Sequence, residues 1–184
     1  METRKAQYVR KKTMKRLPLR PLNRIYEGDK TAYDNIPILY EIFIKYAPLS
    51  KIALPFRNFY HIGSDSGKLV IGMAYMNSTL KTTGIETTPE KVMDGNLALE
   101  KVRDIQVKRR VELLCISPFD ESVKYANACW IYLSNNTEAQ LVDKLANDVK
   151  KGCIVVCANP LFNPAFVQLN YITLDSKVYV YSRV

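Results

Sequence analysis

The charge of this chain is segregated, and the segregation decides which part of it can fold. The 184 residues include 27 basic and 18 acidic side chains. Nine of the basic ones fall within residues 1–24: Arg4, Lys5, Arg10, Lys11, Lys12, Lys15, Arg16, Arg20 and Arg24. Glu2 is the single acid there, so the stretch carries +8, while residues 25–184 hold 18 basic against 17 acidic side chains, a net of +1. Self-repulsion keeps such an arm extended until anions neutralise it, and Pro18 and Pro21 break any helix within it. The apolar side chains a core needs lie in the remainder; 47% of the chain is hydrophobic, and the length suits one domain with a tail. The sequence divides into a basic N-terminal arm (1–24), a turn-rich connector (25–36) and a β-rich assembly domain (37–184).

No run of about twenty apolar residues is present, which predicts no transmembrane helix. The charged start lacks the apolar segment of a signal peptide. Cys115, Cys129, Cys153 and Cys157 all lie in apolar runs, as buried free thiols do, and are expected to be reduced.

The body reads as a series of short strands. Ile38 to Tyr46 is rich in β-branched and aromatic residues between Pro37 and Pro48, which favours a strand. Lys68 to Tyr75 follows the turn Ile62 to Gly67 as a short apolar strand, with Gly72 marking a bulge or a close packing. Residues 77–96 read as a long loop with one short helix, capped by Thr88 with Pro89 in its first position. Lys101 to Ile116 alternates apolar odd positions (Ile105, Val107, Val111, Leu113, Cys115) with polar even ones, the period of a half-buried strand. Ala126 to Leu133 is apolar on both faces. Thr137 to Lys151 is the clearest helix, with Leu141, Val142, Leu145 and Val149 as its stripe and Gly152 as its stop. Cys153–Cys157, Ala165–Leu174 and Lys177–Tyr181 close the chain as strands. The expected fold is mainly β: an antiparallel β-sandwich or jelly roll with one or two peripheral helices. A doubly wound α/β fold needs regular strand–helix alternation, which this reading does not contain.

Catalytic signatures are sparse. His61 is the one histidine, so neither a catalytic triad nor a site built on several histidines is available. No Cys-x-x-Cys pair, Walker-type loop or Gly-x-Gly-x-x-Gly is present. Asp65, within Gly63-Ser64-Asp65-Ser66-Gly67, reads as a tight-turn residue. The expectation is a protein that is not an enzyme and that uses no cofactor or metal.

The arm points to a polyanion. A phosphate backbone releases condensed counterions when basic side chains neutralise it, and this needs no sequence reading. The expected partner is therefore nucleic acid, RNA first. An anionic membrane and a nuclear import signal are the alternatives for the same charge. Lys108-Arg109-Arg110 forms a second cluster, in which Lys108 and Arg110 share the polar face of their strand and extend the basic track.

A basic arm ahead of a β domain resembles the coat proteins of small icosahedral viruses. The likeness is carried by Ser66 to Tyr75 with the following Thr88-Pro89 loop, and by the terminal pair Cys153–Asn159 with Phe166–Leu174 or Lys177–Tyr181. It implies a jelly-roll shell protein that self-assembles into homo-oligomers and packages nucleic acid through Arg4 to Arg24, residing in the virion and in host cytoplasm or nucleus. Tyr40-Glu41-x-Phe43, Pro55-Phe56-Arg57 and Ile71-Gly72-Met73-Ala74 are similar in order to rhabdovirus matrix proteins, which implies membrane and nucleocapsid contacts instead. Nucleic-acid-binding movement proteins are a third likeness.

Overall fold

Three segments that read as strands form helices, and this changes the fold class. The computed structural model describes residues 31–46, 57–131, 135–173 and 177–184. The arm lies outside the described residues. The first helix, α1 (Thr31–Tyr46), begins inside the stretch read as a connector. Its buried positions are Ile36, Leu39, Ile42, Phe43 and Tyr46. That spacing of three and four is a helical stripe. Ile38, Tyr40 and the exposed Ile44 fill the intervening positions with apolar side chains, which hides the stripe and mimics a strand.

Lys68 to Tyr75 lies in the helix α2 (Lys68–Met76), where Val70, Ile71, Gly72, Met73 and Ala74 are buried. A short run that is apolar all round suits a buried helix as well as a buried strand, so periodicity cannot choose between them. Tertiary packing chooses. A Cβ on Gly72 would lie 2.4 Å from Ile36 Cδ1, so the glycine permits a close crossing of α1 over α2 and marks no bulge. In Lys101 to Ile116 the alternation is shared by two elements. Asp104 caps the one-turn helix α4 (Ile105–Lys108), its Oδ1 accepting from Gln106 N at 2.8 Å and Val107 N at 3.3 Å. The strand is confined to β3 (Val111–Cys115).

The alternation of an α/β chain is thereby restored. The remaining elements are β1 (Asn58–Ile62), β2 (Lys81–Glu86), α3 (Pro89–Glu100), β4 (Ala128–Ile131), α5 (Asn135–Asp148), β5 (Ile154–Cys157), β6 (Phe166–Thr173) and β7 (Lys177–Arg183). One seven-stranded sheet has the order β3-β2-β1-β4-β5-β7-β6. β1 to β5 pair in parallel, and β7 runs antiparallel to both β5 and β6. The antiparallel sandwich is corrected to a mostly parallel sheet layered by helices. The jelly roll fails because parallel pairing needs crossover helices, and those helices are the segments that read as strands.

Two cores cover the two faces. On one, α1 to α4 bury Phe43, Val70, Met73, Ala98 and Val107 against Phe59, Ala128 and Ile154. Phe43 and Phe59 meet edge to face at 5.4 Å. On the other, α5 buries Leu141 and Leu145, and Val149 just past its end joins them, against Ile62, Ile85, Cys129 and Val155. Cys129, Cys153 and Cys157 are buried as expected, but Cys115 at the end of β3 is exposed. The helix α5, the Thr88–Pro89 start of α3 and the last three strands match their sequence signals. Among the described residues no helix is long and apolar enough to cross a membrane.

Candidate functional site

The strand order reverses between β1 and β4, since the chain adds β2 and β3 on one side of β1 and β4 and β5 on the other. In open α/β sheets ligands bind in the crevice at the carboxyl ends of the strands at such a switch point. The turn that leaves β1 there is Gly63 to Gly67. Gly63, Asp65 and Gly67 all have positive φ, at 76°, 50° and 72°. Glycine enters that region freely, while Asp is among the few other residues that tolerate it.

The turn is tied to the end of β2. Gly63 N and Ser64 N both donate to Ile85 O, at 2.9 and 3.0 Å. Asp65 N donates to Glu86 Oε2 at 3.0 Å. The other oxygen of Glu86 accepts from Thr87 N at 2.9 Å and Thr88 N at 3.1 Å. Burial pushes the Glu86 carboxyl up, but the backbone N–H groups of Thr88, Asp65 and Thr87 outweigh it and hold the group below the usual carboxylate range. Glu86 is therefore an anion at neutral pH. Close approach of the chain at the base of the turn depends on glycine. A Cβ on Gly84 would lie 2.7 Å from Ser64 Oγ, and one on Gly95 would lie 2.7 Å from Leu113 Cδ1 and 3.0 Å from Ser66 O.

His61 sits on β1 just before the turn. It is 7% exposed, and neither ring nitrogen has a hydrogen-bond partner. Burial drives its pKa down to about 3, only partly opposed by the Glu86 charge. Lys91 reaches Asp65 from α3 at 3.2 Å. In the turn that follows β3, Phe119 is 39% exposed. Among the described residues no group of His, Cys, Asp and Glu is arranged to hold a metal ion.

Of the residues expected to bind nucleic acid, the described ones, Lys108 and Arg110, lie away from this crevice. Arg4 to Arg24 lie outside the described residues. Lys108 Nζ donates to Glu100 O at 2.7 Å. Arg110 Nη1 donates to the carbonyls of Ala74 (2.9 Å), Asn77 and Leu80 (3.3 Å), and its Nε to Gln106 O (2.9 Å). These two cations close helix ends, where carbonyls lack partners. Sequence reasoning missed the crevice itself. Its signal was present: a glycine-bounded turn between a strand and a helix, with an acidic residue, Glu86, following Gly67 by 19 positions. An acid about 20 residues beyond such a turn is the spacing of a group that accepts from a ribose hydroxyl.

Strand order and crossover helices together define an open, mostly parallel α/β sheet with a switch point between β1 and β4. The solved structures it resembles include several methyltransferases. An RNA methyltransferase from Salinibacter ruber, in complex with S-adenosyl-L-homocysteine, aligns with a TM-score of 0.64 and 20% identity over 86% of this chain and 94% of that one. Magnesium protoporphyrin IX methyltransferase from Synechocystis PCC 6803, with bound SAM, aligns at 0.63 and 12% identity over 89% and 90%. The plantazolicin methyltransferase BpumL aligns at 0.52 and 14% identity over 74% of this chain and 56% of that one. No protein-family model and no curated protein sequence matches the chain. These likenesses establish a shared fold.

They overturn the resemblance to viral coat and matrix proteins, and with it the reading as a capsid protein. Ser66 to Tyr75, which carried the coat likeness, is the end of the switch-point turn and α2. The expectation of a protein that is not an enzyme, which rested on the absence of local catalytic motifs, is overturned by the same likeness to methyltransferase structures solved with SAM or S-adenosyl-L-homocysteine.

Proposed function

We propose that this chain is a methyltransferase that uses S-adenosylmethionine, held across the carboxyl ends of β1, β2 and β4. The observation that carries the reading is the tie between the Gly63–Gly67 turn and the ionised Glu86 at the switch point of this sheet.

The residues present fit that cofactor. Besides its three backbone partners Glu86 accepts from the side chains of Thr87 and Thr88, so a ribose would bind by its hydroxyls taking the place of these two threonine hydroxyls on the carboxylate. The Gly63–Gly67 turn lets a ligand approach the backbone closely. Phe119 supplies an exposed ring at the end of β3. When bound, the cofactor would supply a methyl group on a sulfonium, which a substrate nucleophile would take as the C–S bond breaks and the thioether S-adenosylhomocysteine leaves. The chain's own part is to bind and orient, since proximity is a large share of the barrier in such a transfer. His61 does not act as a base near neutrality, because burial keeps it neutral down to about pH 3.

Nucleic acid is the proposed substrate class. The +8 arm supports it, as a tether that raises the local concentration of a phosphate polymer. The test is incubation of the full-length chain with methyl-labelled S-adenosylmethionine and single-stranded RNA. Label is expected in the RNA. Label in added protein but not in RNA would remove the substrate assignment, and no transfer to any acceptor would remove the reading.

A further inference from the structure

Because β1 to β5 are parallel, the residues just ahead of them gather on one edge of the sheet, opposite the switch-point crevice. Those residues are Arg57 before β1, Lys81 opening β2, Arg109 before β3, Lys124 before β4, and Lys150 with Lys151 before β5. All six are exposed. Asp65, Glu86 and Asp120 lie at the other edge, with Lys68 and Lys91 beside them. Exposed cations thus line the edge where the parallel strands begin.

Beside the basic edge, on the face that α5 covers only in part, is a cavity of about 660 Å³. Its floor is the register row Tyr60, Thr83 and Glu112, drawn from β1, β2 and β3. Lys81, Arg109 and Tyr125 line it too. Tyr125 is 56% exposed, and its ring is faced by Lys124 Nζ at 5.0 Å and Lys150 Nζ at 5.8 Å. Arg109 is the exposed member of the 108–110 cluster, since its two neighbours bond backbone carbonyls.

We propose that this edge binds single-stranded nucleic acid, with phosphates on Arg57, Lys81, Arg109 and Lys124 and one base in the cavity against Tyr125 and Tyr60. A basic track interleaved with aromatic rings is how single strands are held without a fixed sequence. Glu112 decides against a bare phosphate or a lipid headgroup, because either would be repelled by a carboxylate in the floor. A base is not: a carboxylate accepts from an exocyclic amine such as cytosine N4. A duplex offers the edge its phosphates but keeps its bases stacked and out of a cavity of this size. The surface stands on these residues and not on methyl transfer, and lies about 15 Å from the crevice, the length of a five-residue strand. It would hold a stretch of the polymer several nucleotides from the one presented to the crevice.

The test is fluorescence anisotropy of a labelled 20-nucleotide single-stranded RNA with the full-length chain, without cofactor, across a salt series. Tyr125→Ala is expected to weaken binding about tenfold with an unchanged salt slope, as loss of one stacked base does. Arg109→Glu is expected to weaken binding several-fold and reduce the slope by about 0.7, one single-strand phosphate contact. Lys45→Glu makes the same charge change at an exposed position of α1, across the sheet from the cavity, and is expected to have little effect. Equal effects of Arg109→Glu and Lys45→Glu, or full affinity in Tyr125→Ala, would overturn the proposal, as would equal Tyr125 dependence for a duplex of the same length. Thermal melts of each variant exclude unfolding, and a separate cofactor titration keeps this result apart from the fate of the methyltransferase reading.

Discussion

Glu86→Ala should lower the affinity for S-adenosylmethionine about 100-fold while leaving the chain folded. Glu86 is expected to do two things at once. Its carboxylate would accept the ribose hydroxyls, and charge-assisted hydrogen bonds of that kind contribute about 1.5–3 kcal/mol each. It also fixes the turn, by accepting from Asp65 N, Thr87 N and Thr88 N. Removing it loses the contact and the order of the loop that receives the ligand; about 3 kcal/mol corresponds to the 100-fold loss. The cost to folding should be smaller, about 1–3 kcal/mol, because Asp65 and Thr87 are exposed and water can replace the lost acceptor. Isothermal titration calorimetry with a parallel thermal melt separates the two. Undiminished cofactor affinity in a folded Glu86→Ala protein would dissociate the β2 terminus from the site.

His61→Leu should abolish a pH dependence of stability that the native chain shows between pH 6.5 and 5. The folded-state pKa of His61 is about 3, below its ordinary 6.5. Its contribution is therefore fully present above pH 6.5 and is lost as pH falls toward 3, because the unfolded chain takes up a proton that the folded one refuses. The slope is about 1.4 kcal/mol per pH unit, so the native chain should lose about 2 kcal/mol between pH 6.5 and 5. Carboxylates such as Glu86 add their own loss only nearer their ordinary range, which keeps this window clean. Leucine removes two unpartnered nitrogens from a buried position, so stability at pH 7 should hold or rise. Urea denaturation at pH 6.5 and 5 measures both. A variant that keeps the native slope would show that another group titrates.

The parts of the fold that were legible in the sequence are those whose periodicity is unmixed. Leu141, Leu145 and Val149 repeat at helical spacing against a polar background, and α5 follows. Cys153 to Cys157 is a short apolar run after a glycine with φ 86°, and β5 follows. Legibility failed where apolar residues occupy every position. In α2 the whole helix is wrapped by sheet and neighbouring helix, so no polar face remains to reveal its period. In α1 the exposed Ile44 conceals the stripe. With α1 and α2 read as strands, and β1 and β2 outside the segments so read, the strand–helix alternation disappears and a parallel sheet becomes an antiparallel one.

The site was illegible for a related reason. Gly63-Ser64-Asp65-Ser66-Gly67 was visible as a turn, but a turn between two strands has no ligand to hold. Only when Lys68 to Met76 is a helix does the same turn become the exit of β1 at a switch point. Glu86 likewise gains its meaning from β2, whose Thr82 and Thr83 were read as loop. The basic charge was legible in amount but not in use. Arg110 is drawn by the end of α2, while Arg109, one residue earlier, faces solvent at the sheet edge.

Cofactor binding at the switch point is tested by titrating the full-length protein with S-adenosylhomocysteine while following backbone amide exchange. Saturable binding at one site is expected, with a micromolar dissociation constant, about 8 kcal/mol, and slowed exchange at residues 63–67 and 86–88. Absence of binding heat together with unchanged exchange in that turn would contradict it.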